Sequence, residues 1–379
     1  MKSALMNDSS MKPARIGIDC RKILDYGIGT ITSNLISNLA LVDAGNEYFL
    51  FGDPAIVPRP GPNFRTIRNE SRRYSIREAI GLPLKSRKLG LNLLHWMHYA
   101  SSPLKYCRYV VSIHDINHLL MPQLLSSRTA GAYARIMLKI AARVADRIIT
   151  ATNTSKAEIV EHLNVQEDKV CVIHNGVAEV FSPRARDDVV RTLKTDYGIE
   201  PPFILYVGSL REHKNVARLL EAFLILKKSL GCAHKLVIAG DHRKQTAILR
   251  QRARVMRLEQ SVMFLGSVPH DRLPELYCGA DVFVFPTLYE GFGLPPLEAM
   301  ACGTPVCLSR IPVLQEVAGA AAAFFDPNDP LDMANVIASF LQDSAKREAA
   351  IEKGLERART FSWKHTAGQT LNVYREVLA

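Results

Sequence analysis

The sequence predicts an α/β protein made of two doubly wound, parallel-sheet domains that face each other across a cleft. Short apolar, β-branched runs alternate with helix-period segments from end to end, the mark of parallel strands covered on both faces. Twelve such runs can be counted, more than one doubly wound sheet usually holds. A length of 379 residues with 47% hydrophobic content suits two cores rather than one.

In the first half the expected strands are 15–20, 47–51, 91–97, 109–114, 147–151 and 169–173. In the second half they are 203–207, 235–239, 262–265, 282–286, 305–309 and 322–325. Amphipathic stretches at 30–41, 130–145, 216–230, 246–258 and 331–342 supply covering helices. The polar stretch after the turn pair Asn175-Gly176, with Pro183 and mixed charge, reads as the boundary. The expected division is a first domain at 1–182, a linker at 183–200 and a second domain at 201–362. A last helix at 363–379 is expected to rejoin the first domain. In open α/β sheets ligands sit beyond the carboxyl ends of strands, so the cleft between two such sheets is the natural site.

Composition excludes several classes. No apolar run approaches the length needed to span a bilayer, and residues 1–12 lack the apolar stretch of a secretory signal. Seven cysteines, odd in number and without a C-x-x-C pair, suggest neither a disulfide framework nor a zinc site, and a reduced cytoplasmic protein is expected. The net charge of +11 is uneven. Segment 59–108 holds 11 basic residues against two acidic ones, densest at Arg68, Arg72, Arg73, Arg77, Lys85, Arg87 and Lys88. It reads either as a solvated face or as a patch for anionic lipid headgroups or a lipid-linked phosphate acceptor, placing the protein at the inner face of a membrane. Nucleic acid is not expected, since no binding module or aromatic-basic interleaving accompanies the charge.

The richest segment runs from Tyr289 to Pro305, as Y-E-G-F-G-L-P-P-L-E-A-M-A-C-G-T-P. It follows an apolar strand. Gly291 and Gly293 flank Phe292 where the chain must turn, and Pro295-Pro296 preset a helix start. A helix beginning at a strand end offers free N–H groups and a positive dipole end, which is an anion site. Glu290 and Glu298 bracket it, and carboxylates accept hydrogen bonds from paired hydroxyls such as those of a sugar or a ribose. Spacing alone equally allows a structural turn with two surface acids. In the first half, Gly27-Ile28-Gly29 and His114 also stand at strand ends. His114 and His118 have a metal-like spacing, but without a further ligand cluster no metal is expected.

The segment resembles the Glu-x7-Glu signature of retaining GT-B glycosyltransferases of family 4. Val207-Gly208-Ser209-Leu210-Arg211-Glu212-His213-Lys214-Asn215 and Leu265-Gly266-Ser267-Val268-Pro269, followed by Leu276-Tyr277 and Ala280-Asp281, resemble the family's blocks in the same order. Asp25-Tyr26-Gly27-Ile28-Gly29-Thr30, Ser112-Ile113-His114-Asp115 and Val172-Ile173-His174-Asn175-Gly176-Val177 resemble its first domain. The overall match is to the mannosyltransferase-like branch. The resemblance implies GT-B architecture, with two Rossmann-like domains. It implies His114, Lys214 and Glu290 as catalytic residues, Glu290 on the donor-sugar hydroxyls and His114 near the sugar's reacting face. Glu298 would bind the ribose, and the amides of Gly291, Phe292, Gly293 and Leu294 would bind sugar and diphosphate. Lys214 would neutralise the leaving diphosphate, Gly29 would approach it from the acceptor side, and Val268 would line the base pocket. Ser209 stands where the family usually has an arginine, His213 stands just before Lys214, and Arg211 is the candidate replacement. The co-substrate implied is a nucleotide-diphosphate sugar, GDP-mannose first and a UDP-sugar second. The acceptor implied is a polysaccharide or lipid-linked glycan, and no metal or other cofactor is needed. The alternatives are a nucleotide-sugar epimerase or phosphorylase-like enzyme on the same fold, or a degenerate subunit that only binds a partner.

Overall fold

The computed structural model describes residues 13–25, 27–69, 76–122 and 127–379. The first sheet takes strands β1 (Arg15–Asp19), β2 (Glu47–Gly52), β3 (Phe64–Arg68), β4 (Leu93–Trp96), β5 (Arg108–Ser112), β6 (Arg147–Thr150) and β7 (Val170–Val172). Its helices are α1 (Ile28–Val42), α2 (Ile76–Lys88), α3 (Asn117–Leu120), α4 (Arg128–Val144) and α5 (Asn153–Leu163). All pairings are parallel, in the order β3-β2-β1-β4-β5-β6-β7.

After α6 (Arg186–Tyr197) come β8 (Phe203–Val207), α7 (Val216–Leu230), β9 (Lys235–Ala239), α8 (Arg243–Val255), β10 (Val262–Gly266) and α9 (Leu273–Gly279). The chain continues through β11 (Val282–Phe285), α10 (Leu294–Ala301), β12 (Val306–Ser309), α11 (Pro312–Ala318), β13 (Ala322–Phe325) and α12 (Pro330–Gln342). It ends with α13 (Ser344–Arg359) and α14 (Trp363–Leu378). The second sheet is also parallel, ordered β10-β9-β8-β11-β12-β13. The order reverses beside β1 in one sheet and beside β8 in the other, and ligands of such sheets sit at that reversal.

The local reasons are visible in the strands. Phe203–Val207 is buried at every position, as a central strand covered on both faces must be. The strand missing from the sequence expectation, β3, is an edge strand in which only Phe64 is buried, so period-2 alternation is nearly absent. The stretch expected to be a linker contains α6. Its Val189 and Leu193 lie in the second domain's core, and its two first-turn acids suit the positive helix start. The polar faces of this helix hid an apolar stripe only two residues long. The last helix, α14, packs against the first sheet: Leu371, Tyr374 and Val377 share a core with Ile16, Ile18 and Leu35. Tyr374 Oη lies 2.6 Å from His95 Nδ1, and His95 Nε2 lies 2.9 Å from Ser112 Oγ. Burial holds His95 down to about 3, so this network is neutral and serves packing.

Candidate functional site

The loop after β8 ends in a 3₁₀ turn, Glu212–Lys214. Asn215 follows at φ +60°, a left-handed conformation that asparagine tolerates better than most residues. Its buried amide donates to the carbonyls of Pro286 (3.0 Å) and Pro327 (2.7 Å). The Leu288 amide donates to the His213 carbonyl at 2.8 Å. The loops after β8 and β11 are thereby tied together, and the tie sets Lys214 against Glu290. Their ammonium and carboxylate form a direct, largely buried ion pair, and the ammonium also sits 5.4 Å from the Phe285 ring centre. Two charges so placed can open toward a ligand that supplies hydroxyls to the acid and phosphate to the base.

Beyond Glu290 the chain turns through Gly291, Phe292 and Gly293 into α10. Gly293 stands at φ +95°, and a Cβ there would come within 2.8 Å of Leu314. Among the described residues, none of the amides from Gly291 to Leu294 donates to a backbone carbonyl. Pro295 and Pro296 have no N–H to offer, so the open donors at this helix start are concentrated at Gly293 and Leu294. The Phe292 side chain is buried against Phe361, with ring centres 5.9 Å apart, so only its backbone faces the cleft.

Glu298 lies one turn further on and is 5% exposed. One carboxylate oxygen accepts from the Tyr277 hydroxyl at 2.9 Å, and the other meets His270 Nε2 at 3.0 Å. Each oxygen keeps a lone pair for a further donor. Val268 is half-buried between β10 and this pair.

The first domain forms the opposite wall. His114, just past β5, has its Nε2 3.0 Å from the Met97 carbonyl. That bond requires the proton on Nε2 and leaves Nδ1 as an acceptor when the ring is neutral. Burial, aided by Lys22 and outweighing Met97 and Asp115, pushes the ring below the usual histidine range. A Cβ on Gly291 would lie 2.3 Å from the His114 carbonyl oxygen, so the two walls touch backbone to backbone here. Tyr289 Oη donates to Glu158 at 2.6 Å and accepts from the Ile116 amide at 3.3 Å. The hydroxyls of Thr152 and Ser155 reach the Gly291 carbonyl at 3.2 and 3.3 Å. Glu316 of α11 caps the start of α5, accepting from the amides and side chains of Asn153 and Thr154 at 2.7–3.0 Å.

One expectation changes. Gly29 does not offer its amide to the cleft: it donates to the Asp25 carbonyl at 2.7 Å, and glycine is required because a Cβ would lie 2.1 Å from the Ile23 carbonyl oxygen. Gly27, exposed at φ +73°, is the open residue of that turn. His213 cannot replace the absent arginine, because burial with Lys214 and Arg211 nearby lowers it to about 3 and keeps it neutral. Arg211 is exposed on the same loop, and the Ser209 carbonyl accepts from the Tyr206 hydroxyl at 2.8 Å. Tyr26, Arg72 and Arg73 lie outside the described residues, as does the side chain of Arg77.

The geometry therefore sets an acid–base pair, open helix-start amides and a buried acid along one side of a cleft. Two family models match: "Glycosyltransferase Family 4" over residues 35–179 and "Glycosyl transferases group 1" over residues 191–357. The O-antigen chain mannosyltransferase B of Escherichia coli is 32% identical over 268 residues, which is 71% of this chain and 70% of that one. The chain belongs to glycosyltransferase family 4. The serotype-specific mannosyltransferase WbdA of Escherichia coli is 31% identical over 62% of this chain, a match that spans only 29% of that longer protein. Among solved structures, sucrose-phosphate synthase from Thermosynechococcus elongatus superposes with a TM-score of 0.78 at 22% identity, over 96% of this chain and 99% of that one. This glycosyltransferase has GT-B architecture, takes a nucleotide-sugar donor and acts on a glycan acceptor.

Sequence reasoning assigned no role to Tyr277 and His270, the partners of Glu298, or to Tyr289, Glu158 and Glu316, which join the walls. No periodicity marks such residues: each is a single polar side chain whose partner lies from 21 to 163 positions away.

Proposed function

We propose that this glycosyltransferase moves a mannosyl residue from GDP-mannose to a polysaccharide or lipid-linked glycan of the O-antigen type, with retention at the anomeric carbon. The observation that carries the reading is the alignment of the Lys214–Glu290 pair, the amides of Gly293 and Leu294, and Glu298 along one wall. The relatives' mannosyltransferase names support the choice of sugar over UDP-linked alternatives.

Glu290 leaves Lys214 to hold hydroxyls of the bound sugar, freeing the ammonium for the diphosphate. The bond between the anomeric carbon and the β-phosphate oxygen breaks, and charge grows on that oxygen. Lys214 and the helix-start amides face this charge, which is stabilisation specific to the transition state. The acceptor oxygen bonds to the anomeric carbon from the face the diphosphate leaves, and its proton passes to the departing phosphate oxygen. His114, neutral with Nδ1 as acceptor, orients the sugar from the other wall. No metal has a part in this scheme, so activity persists in excess chelator.

The acceptor's lipid end is proposed to bring the first domain to the anionic inner face of a membrane. On α2, Ile80 and Leu84 are exposed one turn apart. Leu104 and Tyr106 are exposed beside them, and Arg87 lies 5.3 Å from the Tyr106 ring centre, near Lys85, Lys88 and Lys105. Apolar side chains among cations suit an interface with anionic headgroups. No described helix is long and apolar enough to cross a membrane.

The test is calorimetric titration of GDP-mannose, UDP-glucose and ADP-glucose against the wild-type chain and Glu298→Ala. GDP-mannose should bind best, and the variant should lose at least tenfold in affinity. Unchanged affinity in the variant would remove Glu298 from the donor site.

A further inference from the structure

His270 follows the Val268-Pro269 turn and opens the short helical turn before α9. Its Nε2 meets a Glu298 oxygen at 3.0 Å, and its ring packs edge-on against Phe181 with centres 5.0 Å apart. The two partners of Glu298 differ in kind. Tyr277 is fully buried in the core and its hydroxyl stays neutral, since burial and Glu298 push its pKa far up. The His270 side chain is 41% exposed, against 7% for that of Glu298, so one end of this pair reaches solvent while the other is enclosed.

A carboxylate this buried has lost much of its hydration, so its protein partners decide where its oxygens point. Tyr277 supplies one neutral hydrogen bond. His270 is the group beside Glu298 that can add a positive charge. Burial works against that charge, yet the Glu298 hydrogen bond and charge, with Asp271 on the same turn, raise its pKa above the ordinary histidine value.

We propose that His270 is a positioning residue for donor binding: its protonated ring pairs with Glu298 and aims the carboxylate so that its remaining lone pairs accept the nucleotide's paired ribose hydroxyls. This rests on the reading that Glu298 is the ribose ligand. The groups facing His270 are Glu298 on α10, Asp271 on its own turn and the Phe181 ring, and Tyr277 on α9 holds the other Glu298 oxygen. The sign of the pH effect follows from the raised value. The positive charge on the pair is complete at low pH and is lost as pH rises through the His270 pKa, leaving a neutral hydrogen bond, so donor affinity falls in that direction. His114, His118 and His213 are all shifted below the usual histidine range, opposite in direction to His270.

The experiment titrates GDP-mannose and UDP-glucose between pH 6 and 8.5 by calorimetry, using whichever binds, whose diesterified phosphates do not titrate there. Wild type, His270→Ala, His270→Gln and Glu298→Ala are compared, with melting temperatures recorded at each pH. Wild-type affinity should weaken with rising pH. His270→Ala should bind about tenfold more weakly at pH 6 and show no pH dependence. His270→Gln, whose amide can donate to Glu298 but carries no charge, should show a flat profile that matches the wild type at pH 8.5 and falls below it at pH 6. The proposal is overturned if Glu298→Ala abolishes binding while His270→Ala keeps the wild-type affinity and profile. It is equally overturned if His270→Ala lowers the melting temperature and affinity by the same factor at every pH while wild type is itself flat. If Glu298→Ala binds normally, the ribose reading fails instead, which separates the two outcomes.

Discussion

The two walls of the cleft are built differently. On the second-domain wall, Lys214, Glu290, Gly293, Leu294 and Glu298 come from two adjacent strand ends, and every charged side chain among them has a defined partner. On the first-domain wall, Gly27, His98, His114 and His118 come from the ends of three strands and from the short helix beyond one of them, and the imidazoles dominate. His98 is 3.2 Å from Lys22 and His118 is 2.6 Å from the Tyr99 hydroxyl; burial depresses both rings, with Lys22 adding to the shift. On the proposed function the second-domain wall meets a nucleoside diphosphate, whose chemistry is the same in every donor, so short contiguous motifs suffice. A wall that receives a large, variable acceptor is assembled from distant residues.

That contrast can be broken or sharpened by substitution. The largest effect is expected from Lys214→Ala, which removes the charge proposed to face the leaving diphosphate: kcat should fall by about 10²-fold or more, measured by product formation at saturating donor. A loss below threefold would move the chemistry off the second-domain wall. Next is Gly291→Ala, whose Cβ must push against the His114 carbonyl. Overpacking at this point should cost about 2 kcal/mol in a urea melt and lower kcat/KM, because the two walls no longer close.

Glu316→Gln tests the join itself. It should cost about 2 kcal/mol near neutral pH, since the charge at the α5 helix start is lost and the new NH2 group cannot accept from the amides that one carboxylate oxygen now serves. Burial opposes the Glu316 charge, but the amides and side chains of Asn153 and Thr154 outweigh it and lower the pKa. The wild-type advantage is therefore present above the ordinary carboxylate range and disappears as pH falls through the depressed value, which denaturation at pH 7 and pH 3 would reveal. The smallest effect belongs to Arg211→Ala, an exposed cation on the donor loop: donor affinity should weaken about threefold and the difference should shrink in high salt. No change would leave Lys214 as the diphosphate's side-chain cation on that loop.

Legibility in the sequence follows the same division. The run Phe203–Val207 and its successors are continuous apolar strands, so the six strands of the second sheet could be placed from pattern alone. The helix at α14 was equally plain. Edge strand β3 was not, because one buried residue in five carries no period, and α6 was hidden by charge. The segment proposed to hold the donor stands out in the sequence because Glu290 and Glu298 stand eight positions apart on one loop and helix. The partners of Glu298, and the Tyr289–Glu158 and Glu316–α5 joins, depend on which elements meet in space. Gly29 shows the converse limit: a glycine at a strand end can be demanded by its own turn rather than by a ligand.

The most direct measurement is a crystal structure of the chain with an intact nucleotide sugar. The diphosphate should lie within hydrogen-bond distance of the Gly293 and Leu294 amides and of Lys214, with the sugar on Glu290 and the ribose on Glu298. A nucleotide bound at another strand end, with Glu298 still held only by Tyr277 and His270, would contradict the account.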